Sequence, residues 1–408
     1  MTRYGDLIHA QSGLISYTVL NYLDKSLTFA IPLLVLYAFR DKALYNEIEY
    51  IYSIAAVAAV AIELGVSKYF LYAYRQAADR KRLVSDVRGW FLLQLAAYEL
   101  LGLALLSVAA LAGVEVTLTW LYIFIRTIYM FFMAFFVIYY RLIDRPAKVF
   151  AFSITVSTIT ILLLILARSV LGGIDLIYLF VGQAALLAVT FVYYVTQRSR
   201  INLAGLLGYL RQSLAFAWPI ILNIFLFMFI SNYGKIYARN FLSQEEMFQI
   251  SFVQRVAIII QLAHASAVGY LSKRIFIDTK AEISRKVLAL YTTMMSVSIL
   301  LVFGGLAAIK FLNLSFTVDI NAVTVMIVIY TVAWCYVAYF ELYINRMNKN
   351  LYILLFSVVA ALIFVTVLLL NPGTPLYTIS LGMVTGMVCN LVMVLWFLRS
   401  GFGQICQD

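Results

Sequence analysis

Residues Gln212–Ile277 read QSLAFAWPIILNIFLFMFISNYGKIYARNFLSQEEMFQISFVQRVAIIIQLAHASAVGYLSKRIFI, and this stretch decides the fold. Its first part, Phe216–Phe241, is an apolar run long enough to cross a bilayer, which takes about 20 residues. Lys235 and Arg239 stand four residues apart in it and so share one helical face. A short acidic connection, SQEE at Ser243–Glu246, follows. The chain then returns as Met247–Leu271, with Arg255 inside an otherwise apolar run, and emerges in the charged segment SKRIFIDTKAEISRK. An apolar hairpin that holds cations, with a heavily charged connection on one side only, points to a membrane protein that handles an anion.

Composition agrees. The chain has 408 residues, 64% hydrophobic and only 12% charged, and its mean hydropathy is +0.96. Soluble domains are nearer 45–50% apolar and about 25% charged, so the expected class is an all-α polytopic membrane protein. The net charge of +11 is assigned to cytoplasmic connections rather than to nucleic acid. Cys335, Cys389 and Cys406 have neither metal spacing nor the pattern of a disulfide framework, and His9 and His264 are too far apart for a metal cluster. No metal or cofactor is expected. The opening MTRYGDLIHAQSG lacks the features of a cleaved signal peptide.

Membrane-length apolar segments fall at 13–38, 48–73, 89–111, 118–140, 149–171, 175–196, 213–240, 247–270, 287–309, 321–345, 350–370 and 376–398, which predicts twelve transmembrane helices. Lys and Arg concentrate in alternate connections, for example Arg75, Arg80, Lys81, Arg82 and Arg88, then Arg141, Arg145 and Lys148, then Lys273, Arg274, Lys280, Arg285 and Lys286. That bias places both termini in the cytoplasm. The expected organisation is a six-helix lobe at 1–200, a cytoplasmic linker at 201–212 and a second six-helix lobe at 213–408. A weak repeat supports it. LYNEIEYIYSIAAVAAVAI in the first half and SQEEMFQISFVQRVAIII in the second both place two acids before an aromatic-rich helix start.

Ionisable residues at membrane depth cost roughly 2.5–3.5 kcal/mol each on insertion scales, so each needs a reason. Lys25 and Glu63 lie at similar depths on the first two helices. They form either an intramembrane ion pair or, with Asp24 and Lys68, a set in which Asp24 and Glu63 hold the two lysines toward a cavity or titrate as a coupling-ion site. Glu99 and Arg126 sit at comparable depths on the third and fourth helices and are expected to pair. Arg168 snorkels, and Glu341 pairs with Arg346. No acid lies within the seventh helix, and those of the eighth, Glu245 and Glu246, belong to its outer turn. Lys235 and Arg255, with Lys25 and Lys68 on the equivalent helices of the other half, are therefore expected to line a cationic cleft for a phosphate or similar anion. The tyrosines of YNEIEYIY (Tyr45–Tyr52) and of IYARNF (Ile236–Phe241) mark the outer interface, where their rings and hydroxyls suit sugars.

Pro219, the turn Ser243-Gln244-Glu245-Glu246, and Phe248, Ser251, Gln254 and Arg255 together resemble the seventh and eighth helices of polysaccharide exporters of the MOP (multidrug/oligosaccharidyl-lipid/polysaccharide) superfamily. IELGVSKYFLYAYR at Ile62–Arg75 is similar to the end of that family's second helix. The resemblance implies a V-shaped, two-lobed, MATE-like transporter. It implies a flippase of the bacterial cytoplasmic membrane that carries undecaprenyl-diphosphate-linked oligosaccharide, such as an O-antigen repeat unit, to the outer leaflet by alternating access. The diphosphate would be held by Lys25, Lys68, Lys235, Arg255 and Arg239, and Asp24, Glu63, Glu99 and Arg126 would serve coupling or charge pairing. The family also implies functional association with polysaccharide polymerases. A MATE-like small-molecule exporter is the alternative on the same fold. A membrane polymerase or ligase using Asp41, Glu47 and Glu49 is the alternative from another class, and the lack of a large outer loop argues against it.

Overall fold

The computed structural model describes residues 19–113, 118–143, 145, 147–172, 175–196, 203–236, 241–277, 285–312 and 318–405. Among the described residues all regular structure is helical. The elements are α1 (Val19–Ala38), α2 (Lys42–Glu63), α3 (Val66–Gln76), α4 (Arg80–Leu111), α5 (Leu118–Leu142), α6 (Ala147–Leu166), α7 (Ile177–Thr196), α8 (Leu203–Ile236), α9 (Gln244–Ile277), α10 (Arg285–Phe311), α11 (Ala322–Arg346), α12 (Asn350–Leu370) and α13 (Pro375–Ile405). Ten are long and apolar enough to cross a membrane. The multi-pass, all-helical class is therefore as expected. His9, Arg239, the Arg198–Asn202 segment and Cys406 lie outside the described residues.

The twelve expected segments all fall on helix among the described residues. The second is a bent pair, α2 and α3, meeting at 41°, and the sixth is α7, twenty residues long. Residues 203–212, expected as a linker, are instead the first turns of α8. The chain divides into two compact units, Met1–Trp218 and Pro219–Asp408, and the boundary falls inside α8 at its internal proline.

Polar residues at helix starts account for the boundaries. Asp41 and Asp79 accept hydrogen bonds from the amides of Leu44 at 2.8 Å and Arg82 at 3.0 Å, and Asn321 accepts from Thr324 at 3.1 Å. Each satisfies a donor that the first turn leaves free. Ser243 and Glu246 form a reciprocal capping box for α9. The Glu246 amide donates to Ser243 Oγ at 3.2 Å, and the Ser243 amide donates to Glu246 Oε2 at 2.9 Å. The acidic turn of the sequence is thus a helix start. In the second unit, Gly386 packs so closely on α12 that an added Cβ would lie 2.7 Å from the Ala360 carbonyl oxygen, the small-residue contact that membrane helices use to approach.

The α2–α3 break is built from Leu64 (φ 50°) and Gly65 (φ 67°), both left-handed. Glycine takes that conformation freely, whereas leucine there is strained. The carbonyls released by the break find donors elsewhere in the first unit. Gln94 of α4 donates to Ile62 O at 3.3 Å, and Ser213 of α8 donates to Leu64 O at 2.9 Å. Tyr209 of α8 adds a bond to Val66 O at 3.3 Å. At membrane depth no water replaces such partners. Ser213→Ala leaves the Leu64 carbonyl without its side-chain donor and is expected to destabilise the protein by about 1–2 kcal/mol, read as a lowered unfolding temperature in detergent with no change in membrane topology.

Candidate functional site

In the first unit, Glu63 closes the break. Its carboxylate accepts from the Ser67 amide at 3.3 Å and from the Ser67 hydroxyl, so it neutralises the positive end of α3, with Lys68 also in its electrostatic field. Lys25 does not reach it. The Lys25 ammonium pairs instead with neighbouring Asp24, 3.3 Å away, with the lysine side chain 46% exposed and the aspartate 2%. The inter-helix pair Lys25–Glu63 is therefore absent: Lys25 pairs with Asp24 beside it, and Glu63 bonds Ser67 across the break.

Asp24 sits in a polar pocket of α1, α2, α5 and α6. Thr28 donates to the Asp24 carbonyl at 3.0 Å and lies 3.4 Å from the Ser157 hydroxyl. The Arg126 guanidinium lies 4.1 Å above the Tyr52 ring and 5.4 Å from that of Tyr129, a cation–π arrangement in a desolvated place. Tyr129 feels both Asp24 and Arg126 and donates to Ser153 at 3.3 Å. Asp24 Oδ1, buried, has no hydrogen-bond partner among the described residues.

The expected Glu99–Arg126 pair is not made. Their levels do match: the added Cβ of Gly102 would collide with Phe124, and Phe91 stacks on Phe135 at 3.9 Å, which brackets Glu99 opposite Arg126. The faces do not match. Phe124 meets α4, and Arg126, two residues on, points about 200° away from it. Glu99 is buried, and its Oε1 has no partner among the described residues.

In the second unit Lys235 and Arg255 are both buried, 7% and 8% exposed. Their helices are tied by the Gln254 side chain, which donates to Ser231 O at 2.9 Å, and by Gly234 against Ile250. That antiparallel register puts Lys235 and Arg255 about five residues, or about 8 Å, apart along the helix axes. Lys235 closes the last described turn of α8, where a cation also meets the negative end of the helix.

Sequence reasoning missed a buried chain that joins four helices of this unit. Asn390 of α13 donates to Ser357 of α12 at 3.1 Å, Ser357 donates to Asn223 of α8, and Asn223 donates to Glu341 of α11 at 3.2 Å. Asn223, Ser357 and Asn390 are each 0–1% exposed. Separate polar residues in apolar runs were the only signal. The acids expected on the outer side have structural duties: Asp41 caps α2, and Glu47 accepts from Thr119 at 3.1 Å. Arg168 donates to Gly172 O at 3.1 Å on the surface.

No family model matches the chain, and no curated protein matches it by sequence. Solved structures match along nearly all of it. The MATE multidrug transporter DinF-BH, solved with a bound ligand, shares 13% identity over 95% of both chains with a TM-score of 0.59. A MATE in the straight conformation shares 10% identity over 98% of this chain and 97% of its own, with a TM-score of 0.56. A MOP superfamily transporter from Pyrococcus furiosus, described as having a binding pocket of reverse polarity that suggests a different function, shares 10% identity over 95% of both chains with a TM-score of 0.50. The chain thus has the fold of MATE transporters.

Proposed function

We propose that this chain, a multi-pass helical protein with the MATE fold, is a transporter for an anionic lipid-linked substrate, namely undecaprenyl-diphosphate-linked oligosaccharide moved from the cytoplasmic to the outer leaflet. The observation that carries this reading is the burial of Lys235 and Arg255 inside apolar, membrane-length helices. A cation held at that depth at a cost of roughly 2.5–3.5 kcal/mol calls for a function, and a diphosphate is the ligand that a lysine point charge and an arginine fork suit together. Lys25 and Lys68 are the corresponding cations of the first unit, and the half-exposed Lys25 side chain is accessible to a ligand. Arg239 completes the proposed set. The existence of a transporter of this fold described as having a reversed-polarity pocket supports separating fold from substrate charge.

One observation favours a second reading. Asp24 and Glu99 are buried acids with an oxygen lacking a hydrogen-bond partner among the described residues, and acids suit an organic cation, so a small-molecule exporter is the alternative. In the first reading the same acids carry coupling protons or cations. Both readings put the chain in a bacterial cytoplasmic membrane with its termini inside, and neither makes it an enzyme; association with polymerases of polysaccharide assembly belongs to the first.

Proteoliposomes decide between them. Wild-type protein is expected to translocate a fluorescent undecaprenyl-diphosphate oligosaccharide and to leave a cationic rhodamine dye unmoved. Transport of the dye without flipping of the lipid would establish the small-molecule exporter.

A further inference from the structure

The bend at Leu64–Gly65 turns α3 away from α2 and sets one of its faces against the first half of α8. Lys68, Tyr69 and Tyr72 stand close together on α3, and Tyr209, Gln212 and Phe216 recur on α8 at spacings of three and four, which is one helical stripe. Their rings form a strip. Tyr72 stacks on Phe216 with centroids 4.5 Å apart and planes at 24°. Tyr69 follows, 5.9 Å from Phe216 and 5.3 Å from Tyr209. Trp90 of α4 supports the far end, 4.9 Å from Tyr209.

The strip is not ordinary interior packing. Tyr209 is buried, but Tyr69, Tyr72 and Phe216 are only half-buried, and Gln212 is exposed. The Tyr69 hydroxyl donates to Gln212 Oε1 at 2.7 Å on this exposed side, which leaves both amide protons of Gln212 as donors. Gln212 follows exposed Arg211 near the start of α8, whose apolar span of 32 residues exceeds the about 20 that cross a bilayer. The exposed pair therefore belongs on a wetted surface. Aromatic faces bordered by amide and phenol groups match the two sides of a pyranose ring, its apolar C–H face and its hydroxyl rim. Lys68, the residue before Tyr69, supplies a positive charge for an acidic group attached to the sugar.

We propose that Tyr72, Phe216, Tyr69 and Gln212 form a saccharide-binding shelf, on which sugar rings of the lipid-linked oligosaccharide stack while Lys68 meets the diphosphate. The proposal rests on the transport reading above and adds the part of the substrate that the cations do not recognise. Binding is measured in nanodiscs with two probes, bare undecaprenyl diphosphate and an undecaprenyl-diphosphate-linked trisaccharide. Wild type is expected to bind the trisaccharide form about tenfold more tightly. Tyr72→Leu and Gln212→Ala each bring that ratio toward one with affinity for the bare lipid unchanged. Tyr72→Phe keeps the ratio, and Lys68→Gln weakens both probes alike. Gln212 is exposed, so its variant tests the shelf without disturbing the fold. Equal wild-type affinity for the two probes, or a ratio that survives the Tyr72→Leu, Gln212→Ala double variant, overturns the shelf and leaves the transport reading standing. No binding of either probe by folded wild type overturns both.

Discussion

Arg255→Ala slows translocation of the lipid-linked oligosaccharide by about 100-fold, the kinetic equivalent of losing charge-assisted hydrogen bonds worth about 1.5–3 kcal/mol. The magnitude follows from place and chemistry. Arg255 is 8% exposed, so its field is weakly screened, and its guanidinium offers two parallel donors to one phosphate. Arg255→Lys keeps the charge and loses the fork, and its rate is expected to fall between those of alanine and wild type. Lys235→Ala costs less, about tenfold, because a single ammonium is lost and part of its role is to meet the end of α8. Initial rates in proteoliposomes at matched insertion measure all three. Wild-type rates in Arg255→Ala and Lys235→Ala would show the buried cations to be structural and remove the main support for a diphosphate substrate.

Asn223→Leu has the largest expected effect on stability, about 3 kcal/mol. Its amide stands at the centre of the chain from Asn390 through Ser357 to Glu341. Leucine removes the donor to a carboxylate and the acceptor of a fully buried hydroxyl in one change. Ser357→Ala, farther from the charge, costs nearer about 1 kcal/mol. Cys335 provides the readout: it is 0% exposed on α11, so its rate of modification by a thiol reagent reports opening of the second unit. Labelling as slow in Asn223→Leu as in wild type would mean that the chain of hydrogen bonds contributes little.

How legible was this in the sequence? The helices were, because unbroken apolar length under the bilayer constraint leaves few alternatives, and caps such as Asp79 and Asn321 stand where the periodic runs begin. The break in the second span was not. IELGVSK stays apolar enough to pass as one helix, and only the Leu64–Gly65 pair hinted that the backbone turns left-handed there. Nor could the sequence find the donors for the break, since Gln94, Tyr209 and Ser213 are remote in the chain. The charges were half legible. Depth placed Glu99 and Arg126 at one level, but pairing needs a shared face, and Arg126 turns to Tyr52 instead. Lys235 and Arg255 were visible as cations in apolar runs. The aromatic strip was hidden because tyrosines on α3 and α8 look like any interfacial belt until the bend brings the two helices together.

The α2–α3 break also bears on how the protein is made. Leu64 accepts a hydrogen bond from a residue 149 positions later in the chain, and the first compact unit extends to Trp218, beyond its own seven preceding helices into α8. A nascent chain that has inserted only through α7 holds an open backbone turn in the bilayer without two of its donors. Its N-terminal unit is complete only when the translocon delivers the start of the next helix. A fragment ending at Thr196 should therefore be degraded rapidly in cells, whereas one ending at Trp218 should persist, although both contain every earlier membrane helix.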